Sequence, residues 1–280
     1  MKTTRLSALT CGLVLSVVGY STASANPILG QTAMSFAVLA EAGVTSVGAT
    51  TVNGNVGSVP TNSVTGFPPA LITGGSIMSP AIDQVAESDA LAAYLYLGAQ
   101  SPTQNLTGTD LGGLTLTPGV YDFSSSAQLT GTLTLNAQGS GNAVFIFDIG
   151  STLTTAANAV VSVINGGPGD SVYWQVGSSA TLGASTLFEG NILADTSITL
   201  DSSAQIACGR ALAGIVTSSG SVVLADSNNI AINNGAACVG GYAGEAAVPS
   251  PLPEPSSFAL LVLGLFGLGV AQWQRRSAWR

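Results

Sequence analysis

Five short segments of this chain share one pattern: an apolar residue, then Thr or Val, then a second mostly apolar residue. They are Leu133-Thr-Leu-Asn136, Leu153-Thr-Thr-Ala156, Ala180-Thr-Leu-Gly183, Ile198-Thr-Leu-Asp201 and Val222-Val-Leu-Ala225. Successive segments are offset by 20, 27, 18 and 24 residues, and Gly190-Asn-Ile-Leu193 returns as Gly209-Arg-Ala-Leu212 after 19. Repeats of this length, separated by Gly, Ser, Asn and Asp, suggest coils stacked into a β-solenoid, each burying a face that it could not bury alone. The uneven offsets imply an irregular solenoid. A β-sandwich, which also has short strands and frequent turns, is the alternative.

Alternate residues of a strand face opposite sides. The outer positions of each triplet, Leu133 and Leu135, Ala180 and Leu182, Ile198 and Leu200, Val222 and Leu224, are expected to point inward. The middle positions then point outward, and in a parallel stack they lie about 4.8 Å apart. The expectation is a ladder of Thr134, Thr154, Thr181 and Thr199 on one flat face, with Asn158, Ser185 and Ser203 beside it. Thr is also a common exposed strand residue, so a ladder alone does not name a function.

One segment breaks the β pattern. Pro80 suits the first turn of a helix, Ser79 precedes it as a cap, and acids come early. Ile82, Val85, Ala86, Ala90, Ala93 and Leu97 keep helical spacing, Asp89 is a polar break, and Gly98 suits a stop. One helix is expected over about residues 80–100.

Charge narrows the functions. Between residues 26 and 253 thirteen Asp and Glu face a single Arg, a formal charge of −12. Such a surface repels phosphate backbones, which excludes nucleic acid as a partner. Histidine is absent, which removes the commonest general base and metal ligand. Asp122, Asp148, Asp170, Glu189, Asp195, Asp201 and Asp226 are the carboxylates that a polysaccharide-cleaving β-helix could use, with Arg210 as the one available cation. They read more simply as turn residues. No nucleophile–base pair, phosphate loop or calcium repeat occurs, so no catalytic residue, metal or cofactor is expected and the chain is read as not an enzyme.

Both ends carry addresses. Lys2 and Arg5, the apolar run Leu6 to Val18 and Ala23-Ser-Ala25 make residues 1–25 a signal peptide cut after Ala25. Cys208 and Cys238 remain in the exported part and suggest a disulfide. After a Pro-rich linker at 241–255, residues 256–280 hold an apolar, membrane-inserting stretch closed by Arg275, Arg276 and Arg280. Pro253-Glu-Pro255, the apolar stretch and the Arg cluster, in that order, resemble the PEP-CTERM sorting signal, which implies an exosortase partner, transient membrane anchoring and a secreted or cell-surface product.

The body also carries a resemblance. Phe36-Ala-Val-Leu-Ala40, Thr65-Gly-Phe-Pro-Pro69, Leu116-Thr-Pro-Gly-Val-Tyr121, the run from Ser124 to Leu135, Asn142-Ala-Val-Phe-Ile-Phe147, Val172 to Leu182 and Gly190-Asn-Ile-Leu193 resemble the DUF3494 ice-binding-like family over residues 28–234. The resemblance implies a right-handed, discontinuous β-solenoid of triangular section with one long helix alongside, filling residues 26–240. It also implies adsorption to an ice crystal surface. Some members use a Thr-Ala/Gly-any-Thr/Asn motif, matched here once, by Thr155-Ala-Ala-Asn158; Ala184-Ser-Thr186 and Ser202-Ser-Ala204 depart from it. The alternative function is a structural or adhesive protein of an exopolysaccharide matrix with the same fold.

Overall fold

The computed structural model describes residues 28–232, Pro168 and Ser218 excepted. Almost every regular element in it is a short strand, and every strand pair is parallel. The strands stack into three sheets that form the sides of a prism. A turn of chain visits them in a fixed order, as in Gly119–Phe123 (sheet A), Ala127–Leu129 (sheet B) and Thr132–Asn136 (sheet C), before Val144–Ile149 starts the next turn in sheet A. This is the expected mainly β solenoid with one long helix.

The interior is filled by size. Along sheet A the inward positions in register read Tyr121, Phe147, Trp174, Ile192, Ala211, Val38. The next inward row reads Phe123, Ile149, Val176, Ala194, Ala213, Ala40. The first row is aromatic up to Trp174 and aliphatic beyond it, and the second falls from Phe to Ala. The first three rings of the first row stack, with centroids 5.4 and 3.9 Å apart, and Phe188 meets Trp174 at 4.8 Å. The turn from Phe147 to Trp174 takes 27 residues and the turn from Trp174 to Ile192 takes 18. A longer turn encloses more volume, and close packing requires larger side chains to fill it.

The stack does not follow the chain from end to end. The first two turns contribute Phe36–Ala40 and Asn55–Ser58 to sheet A, Gly43–Ser46 and Val64–Thr65 to sheet B, and Thr51–Asn53 and Leu71–Thr73 to sheet C. They are placed after the last turn of the chain, so that Val44 pairs with Val222 and Ile230 with Val52. Helix α2 (Pro80–Gly98) lies along the outside of sheet A and carries the chain to the far end, from which the later turns build back.

Helix α2 departs from its expected details. Ser79 is at the N-cap but makes no side-chain cap bond, and the helix is capped at its C-terminus by Ala99 in a right-handed conformation. Gly98 is therefore no helix stop; a Cβ there would meet the Gln175 amide at 2.9 Å. The buried face is Asp83, Ala86, Ala90, Ala93, Tyr94 and Leu97, while Ile82 and Val85 are exposed. Asp89, the polar break, accepts the Thr32 and Ala33 N–H groups at 2.9 and 3.2 Å, at the start of α1 (Gln31–Met34). Arg210 donates to the Met34 carbonyl, at the other end of α1, from Nε at 3.1 Å and Nη2 at 2.6 Å. An acid thus meets the orphan amides of α1 and a cation meets its carbonyl end, the arrangement that helix termini favour.

Candidate functional site

The outward side of sheet A is covered by α2, which packs on Leu39, Ile146, Tyr173, Leu193 and Leu212. Among the described residues no helix covers sheets B and C. On sheet C the outward positions in register are Thr132, Val160, Leu187, Gln205, Asn229, Thr51 and Leu71. Leu187 and Leu71 are 47% and 59% exposed, so long side chains project from this side at irregular heights.

Sheet B differs. Its strands run, in order, Ala127–Leu129, Leu153–Thr155, Ala180–Leu182, Ile198–Leu200, Ser221–Leu224, Gly43–Ser46 and Val64–Thr65. The outward positions in register are Gln128, Thr154, Thr181, Thr199, Val223, Thr45 and Thr65. Five of the seven are Thr, at the strand spacing of about 4.8 Å. The hydroxyls of Thr154, Thr181 and Thr199 have no protein partner among the described residues, while Thr65 reaches Thr45 at 3.3 Å.

Two residues before each of the first five outward positions runs a second column, Ser126, Thr152, Ser179, Ser197 and Ser221, with the Ala127, Leu153 and Ala180 N–H groups donating to the Thr152, Ser179 and Ser197 carbonyls. Its hydroxyls are largely used within the column. Thr152 Oγ1 donates to Ser126 Oγ at 2.8 Å, Ser179 Oγ accepts the Ser197 N–H at 3.3 Å, and Ser197 and Ser221 lie 3.5 Å apart. The two columns therefore split the work: one holds the sheet margin, the other leaves its hydroxyls to water.

The sequence expectation places three of four Thr correctly together. Thr154, Thr181 and Thr199 are consecutive rungs of sheet B. Thr134 is not; it is in sheet C, paired with Ser162 and Thr115, and Gln128 holds its expected place on sheet B. Only Thr130 and Gly131 separate the sheet B and sheet C strands of that turn. Both strands have the same in-out-in alternation, so the pattern alone selects the wrong one. Thr45 and Thr65 belong to the column and were not expected; the signal was present in Val44-Thr45 and Val64-Thr65, twenty residues apart.

Asn158, Ser185 and Ser203 do align, at the corner where sheet B turns into sheet C, rather than on the flat. Their φ values are 60°, 59° and 63°, and Ser227 continues the line at 59°. Successive backbone bonds tie them: Asn158 N–H to Ala184 O, Ser185 N–H to Ser202 O, Ser203 N–H to Asp226 O. Short polar side chains tolerate this left-handed conformation best. Thr155, the first residue of the motif match, is buried: its hydroxyl lies 2.8 Å from that of Thr186 and accepts the Gly183 N–H at 2.9 Å. The match is thus a corner device.

Four of the candidate carboxylates hold backbone amides. Asp170 accepts the Ala143 and Gly167 N–H groups, Asp195 the Thr217 N–H, Asp226 the Ala49 N–H, and Glu189 the Val163 N–H. Burial pushes Glu189 up to about 7 despite that bond. Arg210 is buried against Met34 and Asn191. Among the described residues no group of three His, Cys, Asp or Glu could hold a metal ion. Cys208 is buried, and Cys238 lies outside the described residues. So do Ala25 and the signal segment, and Pro253, Glu254, Pro255 and the apolar segment after them; no described helix is long and apolar enough to cross a membrane.

Comparison with known proteins agrees with this geometry. Residues 38–231 match the ice-binding-like family, and residues 251–276 match the PEP-CTERM protein-sorting motif. The chain is 44% identical over 274 residues to an ice-binding protein of Nostoc sp. (strain HG1), covering 95% of this chain and 97% of that one. It is 34% identical over 200 residues to an ice-binding protein of Colwellia sp, covering 66% of this chain and 78% of that one. Among solved structures, an ice-binding protein from the Antarctic ascomycete Antarctomyces psychrotrophicus superposes with a TM-score of 0.67 at 39% identity, over 72% of this chain and 97% of that one.

Proposed function

The chain belongs to the ice-binding-like family, and from that premise we propose that it adsorbs to ice crystals through sheet B. One observation carries the choice of face. Among the described residues sheet B is not covered by α2 and carries a column of Thr, and the hydroxyls of Thr154, Thr181 and Thr199 have no protein partner there. Each Thr rung presents a methyl and a hydroxyl on a paired strand, and water bridging two such groups is nearly as well held as in a direct hydrogen bond. Adsorption is the sum of many such weak contacts over the face. A charged or bulky group would orient water differently or hold the crystal away.

The ice-facing residues are Thr154, Thr181, Thr199, Thr45 and Thr65, with Asn158, Ser185 and Ser203 along one margin. Thr134 is excluded by its place in sheet C. The sorting motif points to export and to an exosortase-type partner at the cell surface. In this reading residues 1–25 are removed on export, residues 26–240 are the ice-binding domain, and the segment after Pro253 anchors the chain in the membrane until it is cut. Cys208 pairs with Cys238, tying the segment that follows the last coil to the coil stack. The test is recrystallisation inhibition by residues 26–253. Activity lost on Thr181→Tyr, with the melting temperature kept, supports the face. A wild-type domain inactive at high concentration would move the reading to a protein of the exopolysaccharide matrix.

A further inference from the structure

We infer that Val223 limits the strength of the sheet B face, because it interrupts the outward hydroxyls where the last sheet B strand of the described chain meets the first. The inference rests on the ice reading of sheet B. In register, Val223 lies between Thr199 on one side and Thr45 on the other. It joins a strand near the end of the described chain to one near its beginning. Its neighbours Val222 and Leu224 point inward and are fully buried, so its own side chain is the outward one.

Val and Thr share a β-branched shape. Val223 therefore keeps the contour of the face level while placing a methyl where a hydroxyl would be. The result is a break in chemistry without a break in flatness. The Thr column is divided into Thr154, Thr181 and Thr199 on one side and Thr45 and Thr65 on the other. Waters bridging neighbouring hydroxyls at about 4.8 Å then form two separate files. A hydroxyl at 223 would join them into one file across six rungs.

The position can be altered without disturbing the fold. The backbone of Val223 is paired on both sides, and its half-buried side chain faces out, so a Thr there loses little apolar burial. Val223→Thr is expected to raise thermal hysteresis at equal concentration roughly two- to threefold, the scale of one weak hydrogen bond. Thr199→Val, which cuts the longer run to two, should lower it by a similar factor. Both variants should melt as the wild type does.

Val223→Thr at or below wild-type activity, with melting unchanged, overturns the inference: methyl contacts alone would then set the strength. The sheet B reading has its own check in Thr181→Tyr. If the wild type is active, Thr181→Tyr is not, and Val223→Thr brings no gain, the inference falls and the face stands. If the wild type is inactive and Val223→Thr is active, the inference stands. If neither is active, both fall.

Discussion

Sheets A and B are two sides of one prism, built from the same turns, yet among the described residues one is covered by a helix and the other is not. Outward on sheet A are Leu39, Ile146, Tyr173, Leu193 and Leu212, a surface that must be covered, and α2 covers it. Outward on sheet B are mostly Thr, whose methyl is small and whose hydroxyl is at ease in water. The inward residues of both are alike, apolar and buried. The difference teaches that the inward alternation builds the prism, while the outward residues decide what each side meets. On sheet A variety and size recruit a helix; on sheet B uniformity leaves a lattice-like surface.

The contrast can be broken most completely at Thr181. Thr181→Tyr should abolish most thermal hysteresis, because one ring standing above the plane separates the whole face from a crystal. Gln205→Tyr, equally bulky but on sheet C, should leave hysteresis unchanged. Loss in both variants would refute the assignment of the face.

On sheet A the same kind of experiment should act on stability instead. Leu193→Ala removes a fully buried side chain under α2, and such truncations cost about 2–5 kcal/mol. Calorimetry should find the melting temperature lowered, and a recrystallisation assay well below it should find activity kept.

A third contrast is in pH. Beneath α2, Asp83 Oδ2 accepts the Ser58 N–H at 3.1 Å, with Glu41 and Glu87 close by. Burial, then the charges of Glu41 and Asp83, push Glu87 up to about 8; burial also raises Glu41 and Asp83. A raised folded-state value means that the folded protein holds its proton more tightly than the unfolded chain. The contribution is complete below the unfolded value of 4.5 and declines as pH rises to about 8. The melting temperature should fall across that window, and Glu87→Gln should flatten the fall. The Thr column of sheet B has no titratable group, so activity per folded molecule should stay level. The smallest change belongs to Thr181→Ser, which keeps the hydroxyl and loses one methyl; hysteresis should drop only slightly.

The inward half of this architecture is legible in the sequence, because burial imposes period two at every rung. Leu182, Ile198, Leu200, Val222 and Leu224 are inside as their alternation requires. The outward half is less so. Leu133-Thr134-Leu135 in sheet C and Ile198-Thr199-Leu200 in sheet B are locally the same sentence, and only the count of strands within a turn separates them. Thr45 escapes for another reason. Val44-Thr45 and Val64-Thr65 repeat the pattern twenty residues apart, but no repeat offset links that pair to the later rungs, because it joins the stack beside Val223. The helix was legible as a helix, but its facing was not: Asp83 is buried and Val85 exposed, since the acid has a backbone amide to meet and the valine has nothing opposite.

The placement of the first two turns beside the last has a consequence in time. An ordinary solenoid can nucleate at any repeat and grow by adding neighbours. Here the opening strands cannot complete their pairing until the chain has been made almost to its final coil. The Ala49 amide meets Asp226, 177 residues on, and the Met34 carbonyl meets Arg210, 176 residues on. Loops of that length are slow to close, and the closing step comes late in the folding path. An exported chain that emerges N-terminus first must therefore wait for its C-terminal third before its beginning has a place to go. Sheet B is also the last side to be made whole, because Val223 and Thr45 come together only at that closing step.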